Sequence, residues 1–339
     1  MSERQAPRAR HVSSSDTAAG GIGTLERPAL VFPGQGSQFV GMGREIYESS
    51  PAGRAVFDEA DRILRFPISQ LCFEGPEEEL TSTQNAQPAL LAHGAALWAV
   101  LRDVLRPHVR AAAGHSLGEF TAHHAAGSLT VADAARLVRR RGELMYEGGA
   151  RQPGAMAAIL GLSEERVEQV CREASRGEAA VVVPANYNSP DQLVISGHTA
   201  AVERAMTLAR DAGAKRALRL KVSGAFHSPL MEVAADGLRQ ALDATPIGEP
   251  DFPVYANVTA EPTGDAGSAR RLLLRQLTAP IRWTQLMRNL AARHPDALFI
   301  ELGPGSVLTG LAKRIAPALR TVSCGAAADV AALTAGVAV

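Results

Sequence analysis

Short apolar runs alternate with longer amphipathic stretches along this chain, and that alternation predicts an α/β fold. "ALVFPG" (29–34) reads as a first strand closed by a Pro-Gly turn. "AQPALLAHGAALWAVLRDVL" (86–105) reads as a largely buried helix with Pro88 near its start. "AAAG" (111–114) is a short strand leading into a turn at Ser116, and "LGEFTAHHAA" (117–126) continues as helix. "TVADAARLVRRRGELMYEGG" (130–149) has helical periodicity and reads as ended by its glycines.

The texture changes between residues 151 and 222. There the order is strand (154–162), helix (164–175), strand (179–188), strand (192–197), helix (199–213), strand (215–222). That is the split-βαβ order of a ferredoxin-like unit. It predicts a small subdomain (151–222) inserted into a large α/β subdomain built from residues 28–150 and 223–325. The large subdomain resumes with a helix after Ser228, a strand at 254–260, a helix from Trp283 and a strand at 298–305. Residues 1–27, rich in Arg and Ser without an apolar segment, are expected to be a disordered leader. Residues 326–339 are expected to be a flexible tail.

Composition narrows the function classes. The 339 residues carry 35 basic and 35 acidic side chains, so bulk charge gives no pull toward nucleic acid. Cys72, Cys171 and Cys324 are too scattered for a metal knuckle or a disulfide framework, which points to a reducing, cytoplasmic setting. No run of about 18 apolar residues predicts a membrane span. No metal site is expected either, because the chain has no H-E-x-x-H or comparable cluster.

Candidate chemistry centres on "AAAGHSLGEF" (111–120). G-x-S-x-G between a strand and a helix would push the Ser116 hydroxyl outward as a nucleophile, with the Leu117 N–H free to hold an oxyanion. The bland alternative is a serine that merely caps a buried helix. A nucleophilic serine needs a base. Among nine histidines, His123 and His124 read as helix packing and His115 as support beside the turn. His227 differs: "GAFHSPLM" (224–231) ends a loop at a helix start, with Ser228 as cap and Pro229 at the first position. A histidine there is kept neutral by the positive helix end, although loop histidines often only make hydrogen bonds.

"FPGQGSQFVGMG" (32–43) fails the dinucleotide fingerprint because Phe39 stands at the third glycine position. Gly34 and Gly36 instead let the backbone around Gln35 approach closely, as a plain turn or as a second oxyanion donor. Arg141 lies on the apolar stripe Ala134, Leu137, Val138, Leu144, Met145 of its helix. A buried arginine must find an anion, either an internal carboxylate or a substrate carboxylate held bidentately. No third triad member stands out, since Asp133, Asp191 and Asp211 have unconvincing contexts.

Taken in order, "FPGQGSQ", "TQNAQPALL", "GHSLGEF", "RRRGELM", "GAMAAILGL", "PANYNSPDQLVISG", "VSGAFHSPLM", "PIRWTQLM" and "ELGPGSVLTGL" resemble the malonyl-CoA:acyl carrier protein transacylase family, related to polyketide synthase acyltransferase domains. The likeness runs from about residue 29 to 316. It implies an α/β-hydrolase-like large subdomain and transfer of malonyl from malonyl-CoA to the phosphopantetheine thiol of an acyl carrier protein. It implies Ser116 as acylated nucleophile, His227 as base, the Gln35 and Leu117 N–H groups as oxyanion hole, and Arg141 on the malonyl carboxylate. Gln87, Asn186 and Asn257 fall in motifs that line the cleft. The family orients its histidine with a backbone carbonyl, which the resemblance places near Ala279. In related polyketide enzymes a phenylalanine before the histidine accompanies malonyl, so Phe226 implies a preference for malonyl over the 2-methyl branch. The family works without a cofactor of its own, and its members are commonly monomers. An acidic carrier protein would meet a basic patch, for which Lys215, Arg216, Arg219, Lys221, Arg204, Arg210 and Arg140 are candidates. The rival readings are a polyketide acyltransferase working in trans, a serine thioesterase or esterase, and a non-enzymatic docking subunit.

Overall fold

The computed structural model describes residues 27–177 and 180–335. All of the expected leader except Arg27 lies outside them. Among the described residues ten strands form two sheets: β1 (Ala29–Phe32), β2 (Ala111–Gly114), β3 (Gly154–Leu160), β4 (Val182–Ser189), β5 (Gln192–His198), β6 (Arg216–Arg219), β7 (Val254–Tyr255), β8 (Pro262–Thr263), β9 (Leu298–Leu302) and β10 (Arg320–Cys324). The first sheet runs β10-β9-β1-β2-β7-β8 and is parallel except for β8. Its central strands are apolar at every position because both faces are covered. Leu30, Phe32 and Ala112 pack into one core, and Ala29, Val31, Ala111 and Ala113 into another on the opposite face.

The second sheet runs β4-β5-β3-β6 with every pair antiparallel, the strand order of a ferredoxin-like unit. Ala155, Ala157 and Ile159 face its two helices, while Met156 and Ala158 face the large subdomain. The two parts are pinned by backbone: Tyr187 N–H donates to Ile281 O at 2.9 Å, and Ile281 N–H to Ala185 O at 2.8 Å. The mixed α/β, two-subdomain architecture expected from the sequence is the one found.

Several boundaries differ, each for a tertiary reason. The helix Thr83–Leu105 starts earlier than expected, so Pro88 lies inside it. Proline has no N–H for the carbonyl of Gln84 one turn back. Arg139 Nη1 donates to that carbonyl at 3.1 Å instead. This helix is long and apolar enough to cross a membrane, but most of it is buried within the molecule. The helix Val131–Arg151 runs straight through Gly148 and Gly149. A Cβ on Gly149 would lie 2.1 Å from Ser223 O, so that glycine marks a close approach and not a stop. Of the expected tail, residues 336–339 lie outside the described residues, and the rest contains a helix, Ala327–Ala335, whose Val330 and Leu333 are buried in the core. The strands expected at 215–222 and 254–260 are confined to β6 and β7. Four helices between Arg44 and Thr81, and the helix Ala266–Arg275, were not apparent from pattern.

Candidate active site

β1 and β2 are neighbouring parallel strands, so the loops after their carboxyl ends lie side by side. The loop after β1 carries Gln35; the turn after β2 carries Ser116. Ser116 sits at φ 52°, left-handed backbone that costs a non-glycine residue about 1–3 kcal/mol. The two motif glycines are steric requirements. A Cβ on Gly114 would lie 1.9 Å from the Gly118 carbonyl, and one on Gly118 would lie 2.2 Å from Phe32 O.

His227 reaches the serine from the segment after β6. Ser228 and Pro229 start a short 3-10 turn there, and the Ser228 hydroxyl accepts from Leu230 N–H. His227 Nδ1 lies 2.8 Å from Gln276 O, which can only accept, so Nδ1 carries the proton. Nε2 is then left with its lone pair, 2.8 Å from Ser116 Oγ. Burial first and Arg141 second lower the His227 pKa to about 3, so the ring is neutral at ordinary pH. Arg141 is buried, with Nη1 on Gln87 Oε1 at 2.7 Å and Nη2 on Gln276 Oε1 at 2.8 Å and Ser116 Oγ at 3.1 Å. It forms no ion pair among the described residues. Burial lowers its pKa to about 10, so it stays a cation at neutral pH. Hydroxyl, imidazole and guanidinium thus meet at one point, from positions 25 and 111 residues apart.

That point opens into a cavity of about 240 Å³, lined by Ser116, His227 and Arg141 together with Gln35, Leu117, Gln87, Asn186 and Phe226. Met145, Met156, Val194, Leu220 and Val222 make its apolar wall. A larger recess of about 400 Å³ beside Trp98 and Arg102 shares no lining residue with it and contains no serine, threonine or cysteine.

Residues 29–332 match the acyl transferase domain family. The chain belongs to that family. It is 46% identical over 300 residues to the malonyl CoA-acyl carrier protein transacylase of Bacillus subtilis (strain 168), covering 88% of this chain and 93% of the relative. The acyl-carrier-protein-S-malonyltransferase of Bartonella henselae superposes with a TM-score of 0.87 at 40% identity, covering 92% of this chain and all of that one. A malonyl-transacylase solved in complex with its type II PKS acyl-carrier protein gives 0.87 at 41% identity, covering 91% and 100%.

In this acyl transferase the carbonyl that meets the histidine is Gln276 O, three residues before the expected Ala279. Gln276 is the C-cap of the helix Ala266–Arg275, and carbonyls at a helix end lack intrahelical donors. Asn257 does not line the cleft. It is fully buried behind the serine, with Nδ2 on Gly114 O at 2.7 Å and Oδ1 accepting the Ser116 N–H at 2.7 Å. His227 owes its neutrality chiefly to burial, not to the helix end. His115 Nε2 donates to Asn188 Oδ1 at 2.8 Å across the subdomain boundary, His124 meets Leu129 O at 3.0 Å, and His123 is buried without a partner among the described residues. Four candidates for a basic patch are engaged: Arg204 with Ala174 O, Arg210 with Ala217 O, Arg219 with Glu203, and Arg140 with Glu143. Lys215, Arg216 and Lys221 are exposed. Pattern reading missed Gln276 and Glu119, both fully buried. A glutamate inside "GHSLGEFTAHHAA", a stretch of core composition, was the available signal for the second.

Proposed function

We propose that this acyl transferase carries malonyl from malonyl-CoA to the phosphopantetheine thiol of an acyl carrier protein by way of a Ser116 ester. The observation that carries the reading is Arg141: a buried cation without an ion pair among the described residues, lining the same cavity as a serine–histidine pair. The named relatives, one of them solved with its carrier protein, support the same substrate and partner. The mechanism follows from the hydrogen bonds. Ser116 donates its proton to His227 Nε2 while its oxygen attacks the thioester carbonyl. The Gln276 carbonyl favours the imidazolium that forms. The Gln35 and Leu117 N–H groups have no partner among the described residues and line the cavity, so they are free to hold the oxyanion. Protonated His227 then delivers its proton to the departing CoA thiolate. The carrier-protein thiol repeats the sequence in reverse.

Arg141 would meet the malonyl carboxylate, with Gln87 and Gln276 setting the guanidinium angle. Phe226, buried against the cavity, would disfavour a 2-methyl branch by about 1–3 kcal/mol. The apolar wall, to which the small subdomain gives Met156, Val194, Leu220 and Val222, limits water at the ester, which favours transfer over hydrolysis. Three buried, unpaired cysteines suit the cytoplasm. Mass spectrometry of the intact protein, offered malonyl-, methylmalonyl- and acetyl-CoA together, tests all of this. Wild type should carry malonyl on the Ser116 peptide, whereas Arg141→Ala should lose malonyl by about a hundredfold and keep acetyl. Equal loss of both acyl groups would remove the carboxylate role.

A further inference from the structure

Glu119 has no part in the reaction just described, yet it is fully buried one helical turn after Ser116. A carboxylate without water must be held by donors or by a cation. Glu119 Oε2 accepts the Asn257 N–H at 3.0 Å and Gln276 Nε2 at 2.7 Å, while Oε1 has no partner among the described residues. Both donors belong to residues that grip the nucleophile. Asn257 Oδ1 receives the Ser116 N–H at 2.7 Å, and Gln276 Nε2 also reaches the Ser116 carbonyl at 3.0 Å. The other end of the same Gln276 amide, Oε1, accepts from Arg141 at 2.8 Å. Its orientation is therefore unambiguous: nitrogen toward acceptors, oxygen toward a guanidinium. A left-handed serine persists only where its surroundings hold it there. Here the holding groups on both its N–H and its C=O converge on one carboxylate.

We infer that Glu119 is a positioning residue: through the Gln276 amide and Asn257 it holds Ser116 in its strained turn and Arg141 at a fixed distance from the Ser116 hydroxyl. It touches no substrate and moves no proton. When ionised it also faces Arg141 across the Gln276 amide, a buried counter-charge for a guanidinium that makes no direct ion pair among the described residues. Burial pushes the Glu119 carboxyl up to about 7, and the Asn257 and Gln276 hydrogen bonds and Arg141 oppose that shift. The inference rests on Ser116 as nucleophile and is independent of which acyl group it takes.

The test is single-turnover labelling of Ser116 by malonyl-CoA, with a fluorophosphonate probe titrating reactive sites in parallel. Glu119→Ala leaves the buried Asn257 N–H without an acceptor and removes the shortest acceptor of Gln276 Nε2, and should slow labelling by about a hundredfold. The fraction of protein that labels, and the malonyl-CoA concentration giving half-maximal rate, should stay within about threefold of wild type. Glu119→Gln keeps one acceptor oxygen and should recover most of the loss, ending about tenfold below wild type. A wild-type rate constant in Glu119→Ala overturns the inference. So does a reduced labelled fraction at an unchanged rate constant, which is what a merely structural carboxylate would give. If Glu119→Ala does not fold, Glu119→Gln decides: a wild-type rate constant in it overturns the inference. A wild type that reacts with the probe but takes no malonyl would reject the proposed function, and the probe rates of the variants then decide the role of Glu119.

Discussion

Two interiors of this molecule are equally buried and are built on opposite plans. Behind Ser116, Glu119, Asn257, Gln276, Arg141 and Gln87 are all at or below 1% exposure, and each is held by named hydrogen bonds. In the small subdomain, Ala157, Ile159, Leu193, Ile195, Val167 and Val202 fill an equally buried core with no side-chain polar atom among them. The apolar core is non-directional: any well-filled arrangement keeps much of its stability. The polar layer is directional, because a lost acceptor strands a buried donor. Damage to the first should therefore appear as lost stability, and damage to the second as lost rate.

The largest expected effect falls on the polar side. His227→Ala should slow Ser116 acylation by about 10²–10⁴-fold while shifting the melting temperature little. A rate within tenfold of wild type in stopped-flow acylation would point to another base. On the apolar side, Ile195→Ala should cost about 2–5 kcal/mol in urea unfolding, with the acylation rate per folded molecule unchanged. A matching fall in that rate would erase the contrast between the two interiors.

The smallest effect sharpens the boundary between them. His123 is a polar residue fully buried on the helix Gly118–Ala125 without a partner among the described residues, and burial lowers its pKa to about 4. The unfolded chain then binds a proton between about pH 6.5 and 4 that the folded protein refuses, so this histidine weakens the fold as pH falls through that range. His123→Leu should accordingly raise stability by about 1–2 kcal/mol more at pH 5 than at pH 7. Equal gains at both pH values would mean that the ring is protonated in the folded state.

The legibility of the site divides along similar lines. Ser116 was readable because a strand, two glycines and a helix in that spacing dictate a sharp turn locally. Arg141 was readable because a cation on an apolar stripe contradicts the pattern of its own helix. One partner of that cation, Gln87, falls in a motif the resemblance points to, but the other was not readable: Gln276 lies 135 residues away and acts from a helix end whose position no local pattern marks. The resemblance implies Asn257 at the cleft, whereas its hydrogen bonds turn it to the back of the serine.

Periodicity and turn chemistry act over a few residues, so the chain by itself determined the alternation of strands and helices, the inserted four-stranded unit, the serine turn and the misfit arginine. Only the packed structure decided that one glutamine would use its carbonyl on His227 and its side chain on Arg141, Ser116 and Glu119. Hydrogen bonds between distant segments depend on distances of a few tenths of an ångström, and those exist only after the segments have packed.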